Sequence, residues 1–298
     1  MGRKAGDFRL LSHYTYCVPG TKEIIVLLLM LLAGGFIGSL VTLAFEAAMG
    51  QAGSEYSMLV AYPVMFIPAM MYAAGVSRRK CMDHGGFLLD SNGHFKPLGG
   101  PACAGLVVVG TLSMSFVADA AGSVLPEMPE WLAETLDSMT QGGSLILNLL
   151  CVSVFAPFFE EWLCRGTVLR GLLGKGVKPV WAIVVSALFF ALIHANPWQA
   201  IPAFLLGCLF GYVYLRTGSL KLTMLMHCTN NTAAVILSRI DSFSQMDTWR
   251  DVLTGPEYWV TLFFCLLLTG LVVYAFRRIP LNEQGHNCDP VPPIFEQK

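Results

Sequence analysis

Apolar runs close to twenty residues long, divided by short polar or Gly/Pro-containing links, recur along this chain. A helix crossing a bilayer needs about 20 mostly apolar residues, because backbone groups in hydrocarbon must bond within their own segment. The runs predict helices over 24–45, 57–76, 102–124, 144–173, 179–197, 200–215, 219–238 and 258–276. Asn196-Pro197-Trp198 forms the short link between the fifth and sixth. Pro179 suits a first helical turn, Gly218 precedes a new helix, and Arg277-Arg278 makes a polar stop. The first run, from Ile24 to about Phe45, exceeds the core of a cleaved signal peptide and reads as a retained helix. No internal repeat or low-complexity tail interrupts the pattern. The expectation is an all-α polytopic membrane helical bundle of about eight transmembrane helices. Its parts are an N-terminal segment with three helices (1–143), a four-helix core (144–240), and a last helix with its tail (241–298).

Composition agrees with this reading. Hydrophobic residues make up 55% of the chain and charged residues 13%, too little charge to cover a soluble surface. A net charge of −1 points to no nucleic-acid partner. The cysteines, odd in number, lie mostly in apolar runs (Cys103, Cys151, Cys208, Cys228, Cys265) and read as small buried hydrophobes rather than a disulfide framework. Charge also sets the orientation. With the N-terminus in the cytoplasm, the cytoplasmic segments hold every Lys and Arg except Arg239, Arg250 and the intramembrane Arg165. That follows the enrichment of basic residues in cytoplasmic loops and puts both termini inside.

Ionisable groups inside spans are costly and face a partner or a wet cavity. Three places break the apolar pattern. The fourth run contains Glu160-Glu161 followed by Arg165. Adjacent helical residues project about 100° apart, and i,i+4 residues share a face, so Glu161 can pair with Arg165 while Glu160 points elsewhere. One carboxylate is thereby neutralised as structure and the other is left to act as a base. On its own, this cluster also reads as a juxtamembrane salt bridge. The fifth run ends near His194, which alone reads equally as a hydrogen-bonded packing residue. In the seventh, His227 and Asn231 share a face at i,i+4, a pattern that also serves as interhelical glue.

Depth brings the three together. At 1.5 Å per residue, Glu160 lies roughly 20 Å from the cytoplasmic helix edge, His194 roughly 22 Å, and His227 and Asn231 roughly 12 and 18 Å. This requires the fourth helix to be long, tilted or bent, with Pro157 as the expected kink.

The ordered set EExxxR (Glu160, Glu161, Arg165), FxxxH (Phe190, His194) and HxxxN (His227, Asn231) resembles the CPBP family. These are intramembrane proteases related to type II CAAX prenyl endopeptidases and to abortive-infection, bacteriocin-immunity-like proteins. The resemblance covers about residues 145–240 and includes Arg165-Gly166 and the link Arg216-Thr217-Gly218-Ser219-Leu220. It implies a hydrolase in which Glu160 activates a water, His194 positions it, and His227 with Asn231 donates to the oxyanion. Glu161, Arg165 and Phe190 would support that set. A metal version uses the same residues, with His194, His227 and Glu160 binding zinc or another divalent ion; the glutamate–water version needs none. The implied partners are membrane lipid and a membrane-tethered or lipidated peptide or protein, and the implied location is the cell membrane of a bacterium. Rival readings are a non-catalytic immunity or scaffold member and a transporter using the polar cluster as an ion site.

Remaining features read more plainly. Gly207 and Gly211 form a GxxxG suited to helix contacts within the chain. Cys81, His84 and His94 share a loop region whose spacing fits no zinc pattern. Asp119 near a helix end reads as a snorkelling or capping residue, and the acidic segment around Trp131 as an amphipathic surface piece. The tail ending Phe-Glu-Gln-Lys has no CaaX box. HExxH and paired intramembrane aspartates are missing.

Overall fold

The computed structural model describes residues 20–84, 86–91, 93–140, 143–243, 246 and 248–291. Arg3, Lys4, Arg9 and Lys298, which entered the charge argument, lie outside the described residues, as do the side chains of Arg78, Arg79, Lys80, Cys81 and His84. The helices are α1 (Thr21–Met49), α2 (Gln51–His84), α3 (Gly100–Gly122), α4 (Glu130–Thr140), α5 (Leu145–Gly174), α6 (Pro179–Leu192), α7 (Pro197–Thr217), α8 (Leu220–Leu237), α9 (Trp249–Val252) and α10 (Pro256–Arg277). A two-residue ladder pairs β1 (Gly86–Phe87) with β2 (Pro290–Val291) antiparallel.

The chain is a polytopic helical bundle. Among the described residues, six helices are long and apolar enough to cross a membrane: α1, α2, α3, α5, α7 and α10. The other two expected spans form helices of a different kind. α8 carries Lys221, His227, Asn230 and Asn231, and so falls short in hydropathy. α6 has only 14 residues, about 21 Å at the helical rise, and ends at Leu192 rather than near 197. The cause is local. A residue before proline is pushed out of the helical region, and Asn196 is extended at φ −145° and ψ 148°. Its side chain accepts the Gln199 N–H at 2.9 Å, capping α7, which starts at Pro197 and not at 200.

Large apolar side chains point outward where a soluble protein would show charge, among them Phe36, Met71, Phe263 and Leu271. The interior is built around α5, with Trp162, Leu163 and Leu169 packed against Leu27, Phe66 and Tyr214. α1 and α2 meet backbone to backbone: a Cβ on Gly34 would lie 1.8 Å from the Met65 carbonyl oxygen. Glycine is required at that point. The GxxxG pair sits between helices of the same chain, Gly207 against Ala187 and Gly211 against Ile183 of α6. Asp119 accepts the Trp249 N–H at 3.1 Å and caps the start of α9.

One end of the bundle is closed by a clasp. Besides the β1–β2 pairing, the Ser91 N–H donates to Gly218 O at 2.8 Å and the Asn287 N–H to Leu215 O at 3.1 Å. Arg170 donates to Phe87 O at 2.9 Å. The buried Asp90 carboxylate accepts from Ser219 Oγ at 3.1 Å and pairs with Lys221 at 3.1 Å. These bonds fix the link from α7 into α8, where Gly218 takes φ 64° and a Cβ would lie 2.1 Å from Asn287 O. His94 pairs with Asp289 at 2.7 Å. Burial pushes the Cys288 thiol up to about 12, so it stays neutral.

Gly34→Ala is expected to lower the thermal midpoint, at a cost of about 1–3 kcal/mol for overpacking. Gly35→Ala, whose Cβ would meet only Met65 Sδ at 3.9 Å, is expected to be neutral or stabilising by up to about 1 kcal/mol. Unfolding of the two purified variants in one detergent makes the comparison.

Candidate active site

The site is built on α5, which is not uniformly α-helical. π-helical turns at Leu149–Phe155 and Trp162–Leu169 flank the α-helical Ala156–Glu161. Pro157 has no N–H and crowds the carbonyl four residues back; the widened turn before it, in which Ala156 N–H bonds Cys151 O, accommodates this. Departures of this kind concentrate at functional sites. The two glutamates lie in the α-helical stretch between the π-helical turns and meet different partners.

Glu161 faces inward. Arg165 Nη1 donates to Glu161 Oε1 at 2.6 Å, and both side chains are fully buried, as the i,i+4 spacing anticipated. The second guanidinium nitrogen donates to Gly207 O at 3.0 Å, reaching a backbone that a side chain at 207 would crowd. The guanidinium plane is covered by Phe190 at 4.6 Å and Phe210 at 5.2 Å. The same Glu161 oxygen lies 3.0 Å from His227 Nδ1. Local spacing gave no sign of this third member, since His227 arrives from α8. Because the carboxylate accepts, the ring proton sits on Nδ1 and Nε2 faces the other way.

Glu160 faces that other way. Its Oε2 is 4.0 Å from His227 Nε2, is buried, and has no hydrogen-bond partner among the described residues. Its Oε1 accepts a hydrogen bond from the Tyr62 hydroxyl of α2. A cavity of about 210 Å³ runs alongside, bounded by Glu160, His194 and Ile193 and by the apolar Leu28, Leu31, Leu32, Met65 and Phe66. His194 lies just past the end of α6, and its Nδ1 bonds Phe190 O at 2.8 Å. A carbonyl only accepts, so Nδ1 carries the proton and Nε2 is left as an acceptor. Phe190 stands edge-on to both histidines, 5.0 Å from His194 and 5.3 Å from His227. That contact accounts for the phenylalanine of FxxxH.

Asn231 is held differently. Its amide donates to Val152 O at 2.8 Å, in the first π-helical turn, and its oxygen accepts from Asn230 at 3.1 Å. Asn230 in turn accepts from Ser115 of α3 at 2.7 Å. The structure therefore gathers Glu160, Glu161, Arg165, Phe190, His194 and His227 at one place. Asn231 spends one of its two amide hydrogens on Val152. Tyr62 was missed in the sequence; its only signal is a hydroxyl inside the apolar run 57–76, beside Pro63.

Among the described residues, no group of three or more His, Cys, Asp or Glu is placed to hold a metal ion. His194, His227 and Glu160 thus do not fit a tetrahedral ligand set in this arrangement.

Arg165→Met leaves the Glu161 charge buried without its partner and is expected to cost roughly 3–5 kcal/mol. The double variant Glu161→Gln/Arg165→Met is expected to recover part of that loss. Unfolding midpoints of the single and double variants in mixed micelles provide the check.

The family comparison falls on this same region. The chain is similar to an uncharacterized 24.3 kDa protein of Escherichia coli, 28% identical over 96 residues. That alignment covers 31% of this chain and 44% of the relative, so the chain spans less than half of the curated protein it matches. No solved structure gives a significant match. Residues 142–233, which hold all three motifs, match the type II CAAX prenyl endopeptidase Rce1-like family, the group of proteases that the motifs implied.

Proposed function

We propose that this protein is an intramembrane endopeptidase that hydrolyses a peptide bond in a membrane-tethered or lipidated peptide or protein, with Glu160 as general base. The observation that carries the reading is the unmatched Oε2 of Glu160, buried beside His194 and His227 within a segment similar to an endopeptidase family. A water in the cavity donates one hydrogen to Glu160 Oε2 and the other to His194 Nε2. Its lone pairs are then free to attack the scissile carbonyl. As the carbon–oxygen bond forms, the proton passes to Glu160 and the carbonyl π electrons move to oxygen. The remaining amide hydrogen of Asn231 donates to that oxyanion, and His227 does so from Nε2 when the ring carries a second proton there besides the one on Nδ1. On collapse the carbon–nitrogen bond breaks and Glu160 returns its proton to the leaving amine.

The cavity walls support this choice of substrate class. Leu28, Leu31, Leu32, Met65 and Phe66 suit an apolar or lipidated chain near the scissile bond and offer nothing to a charged one. Basic residues gather at the clasp end, with Lys175, Lys178, Arg216, Lys221, Arg277 and Arg278 at the helix termini there. This supports placing that end, and both chain termini, in the cytoplasm of a bacterial cell.

Purified in nanodiscs and assayed on lipidated peptides, Glu160→Gln and His194→Ala are expected to lower kcat/KM by about 10²–10⁴-fold. His227→Ala is expected to lose about 10²–10³-fold. Helicity and thermal midpoint should remain near wild type for Glu160→Gln and His194→Ala, while His227→Ala, which also removes a partner of the buried Glu161, should lower the midpoint. Cleavage retained in Glu160→Gln sinks the assignment.

A further inference from the structure

Nothing in the three motifs assigns a role to Tyr62, which lies on α2, outside the matched segment 142–233. We infer that Tyr62 is the positioning residue for the general base: by occupying Glu160 Oε1, its hydroxyl decides that Oε2 is the oxygen that takes the proton from water. The inference rests on the endopeptidase reading above.

A carboxylate has two equivalent oxygens on a torsion with a broad, two-fold profile. An unrestrained Glu160 would have no fixed aim in its cavity. The structure restrains it on one side only. Tyr62 donates to Oε1, Oε2 has no partner among the described residues, and it is Oε2 that lies 4.0 Å from His227 Nε2. A hydrogen bond to an ionised acceptor is among the stronger ones, and here it forms away from bulk water.

The phenol is itself held in place. One turn further along α2, Phe66 stacks on Phe159, with centroids 5.0 Å apart and planes 19° from parallel. Tyr62 and Phe66 pack at 5.6 Å. The residue preceding the base is thus gripped by the helix that supplies the hydroxyl, so α2 sets both the direction of Glu160 and the position of its backbone. Tyr62 keeps its own proton through the cycle, and no bond forms or breaks at it.

A packing role and a positioning role diverge in Tyr62→Phe, which keeps the ring and removes the hydroxyl. Positioning predicts a fall in kcat on the order of 10- to 100-fold, as for a misplaced catalytic group, with KM within about two-fold. Reinstating the hydroxyl as 3-fluorotyrosine or 2,3-difluorotyrosine should restore the rate in step with donor strength. Wild-type kcat in Tyr62→Phe alongside an inactive Glu160→Gln overturns the inference and leaves the endopeptidase reading intact. Cleavage by Glu160→Gln instead overturns the endopeptidase reading. A readout independent of turnover is the infrared carboxylate band that disappears in Glu160→Gln. It should shift in Tyr62→Phe, and an unshifted band overturns the inference.

Discussion

The Glu161–Arg165 pair is the constraint on which the rest of this site depends. Two full charges lie wholly buried in an apolar bundle, which is tolerable only when each is matched. Every neighbour answers to that demand. Gly207 exposes a carbonyl to the guanidinium, Phe190 and Phe210 cover its faces, and His227 bonds the carboxylate oxygen that Arg165 also holds. The pair joins α5, α7 and α8 at a single depth. It also orients His227, because committing Nδ1 to Glu161 leaves Nε2 facing Glu160.

Adjacent residues of the same type thereby take opposite roles. Glu161 is consumed in structure, while Glu160 keeps one oxygen unmatched beside an apolar cavity. The division needs α5 to be held rigidly in spite of its π-helical turns, and the holding comes from outside the motif-bearing segment. α1 and α2 close on each other through Gly34, and α2 then grips Phe159 and Glu160 through Phe66 and Tyr62. At the far end, the clasp through Asp90, Ser91 and Asn287 sets the start of α8, and with it the position of His227. The matched region carries Glu160, His194 and His227, and the flanking helices pack against them.

What could be read beforehand follows from what local spacing encodes. Long apolar runs marked the helices because hydrocarbon demands them, and i,i+4 geometry predicted that Glu161 rather than Glu160 would meet Arg165. Contacts between distant segments left no such trace. The bond from His227 to Glu161, the anchoring of Asn231 on Val152 and the donation from Tyr62 each join residues more than sixty positions apart. The early end of α6 was legible in principle, since Asn196-Pro197 forbids helix at Asn196, but the apolar run obscured it. The polarity of α8 is the reverse case: His227 and Asn231, which carry the third motif, also lower the hydropathy of that helix.

The central claim is that Glu160, with one carboxylate oxygen unmatched beside a neutralised Glu161, makes this bundle a peptidase. Comparative peptidomics of membranes carrying the wild-type protein or Glu160→Ala, matched for abundance, addresses it most directly. The account predicts a set of cleaved peptides from membrane-associated proteins that is present with the wild type and missing with Glu160→Ala. Identical peptide sets from the two membranes would contradict it.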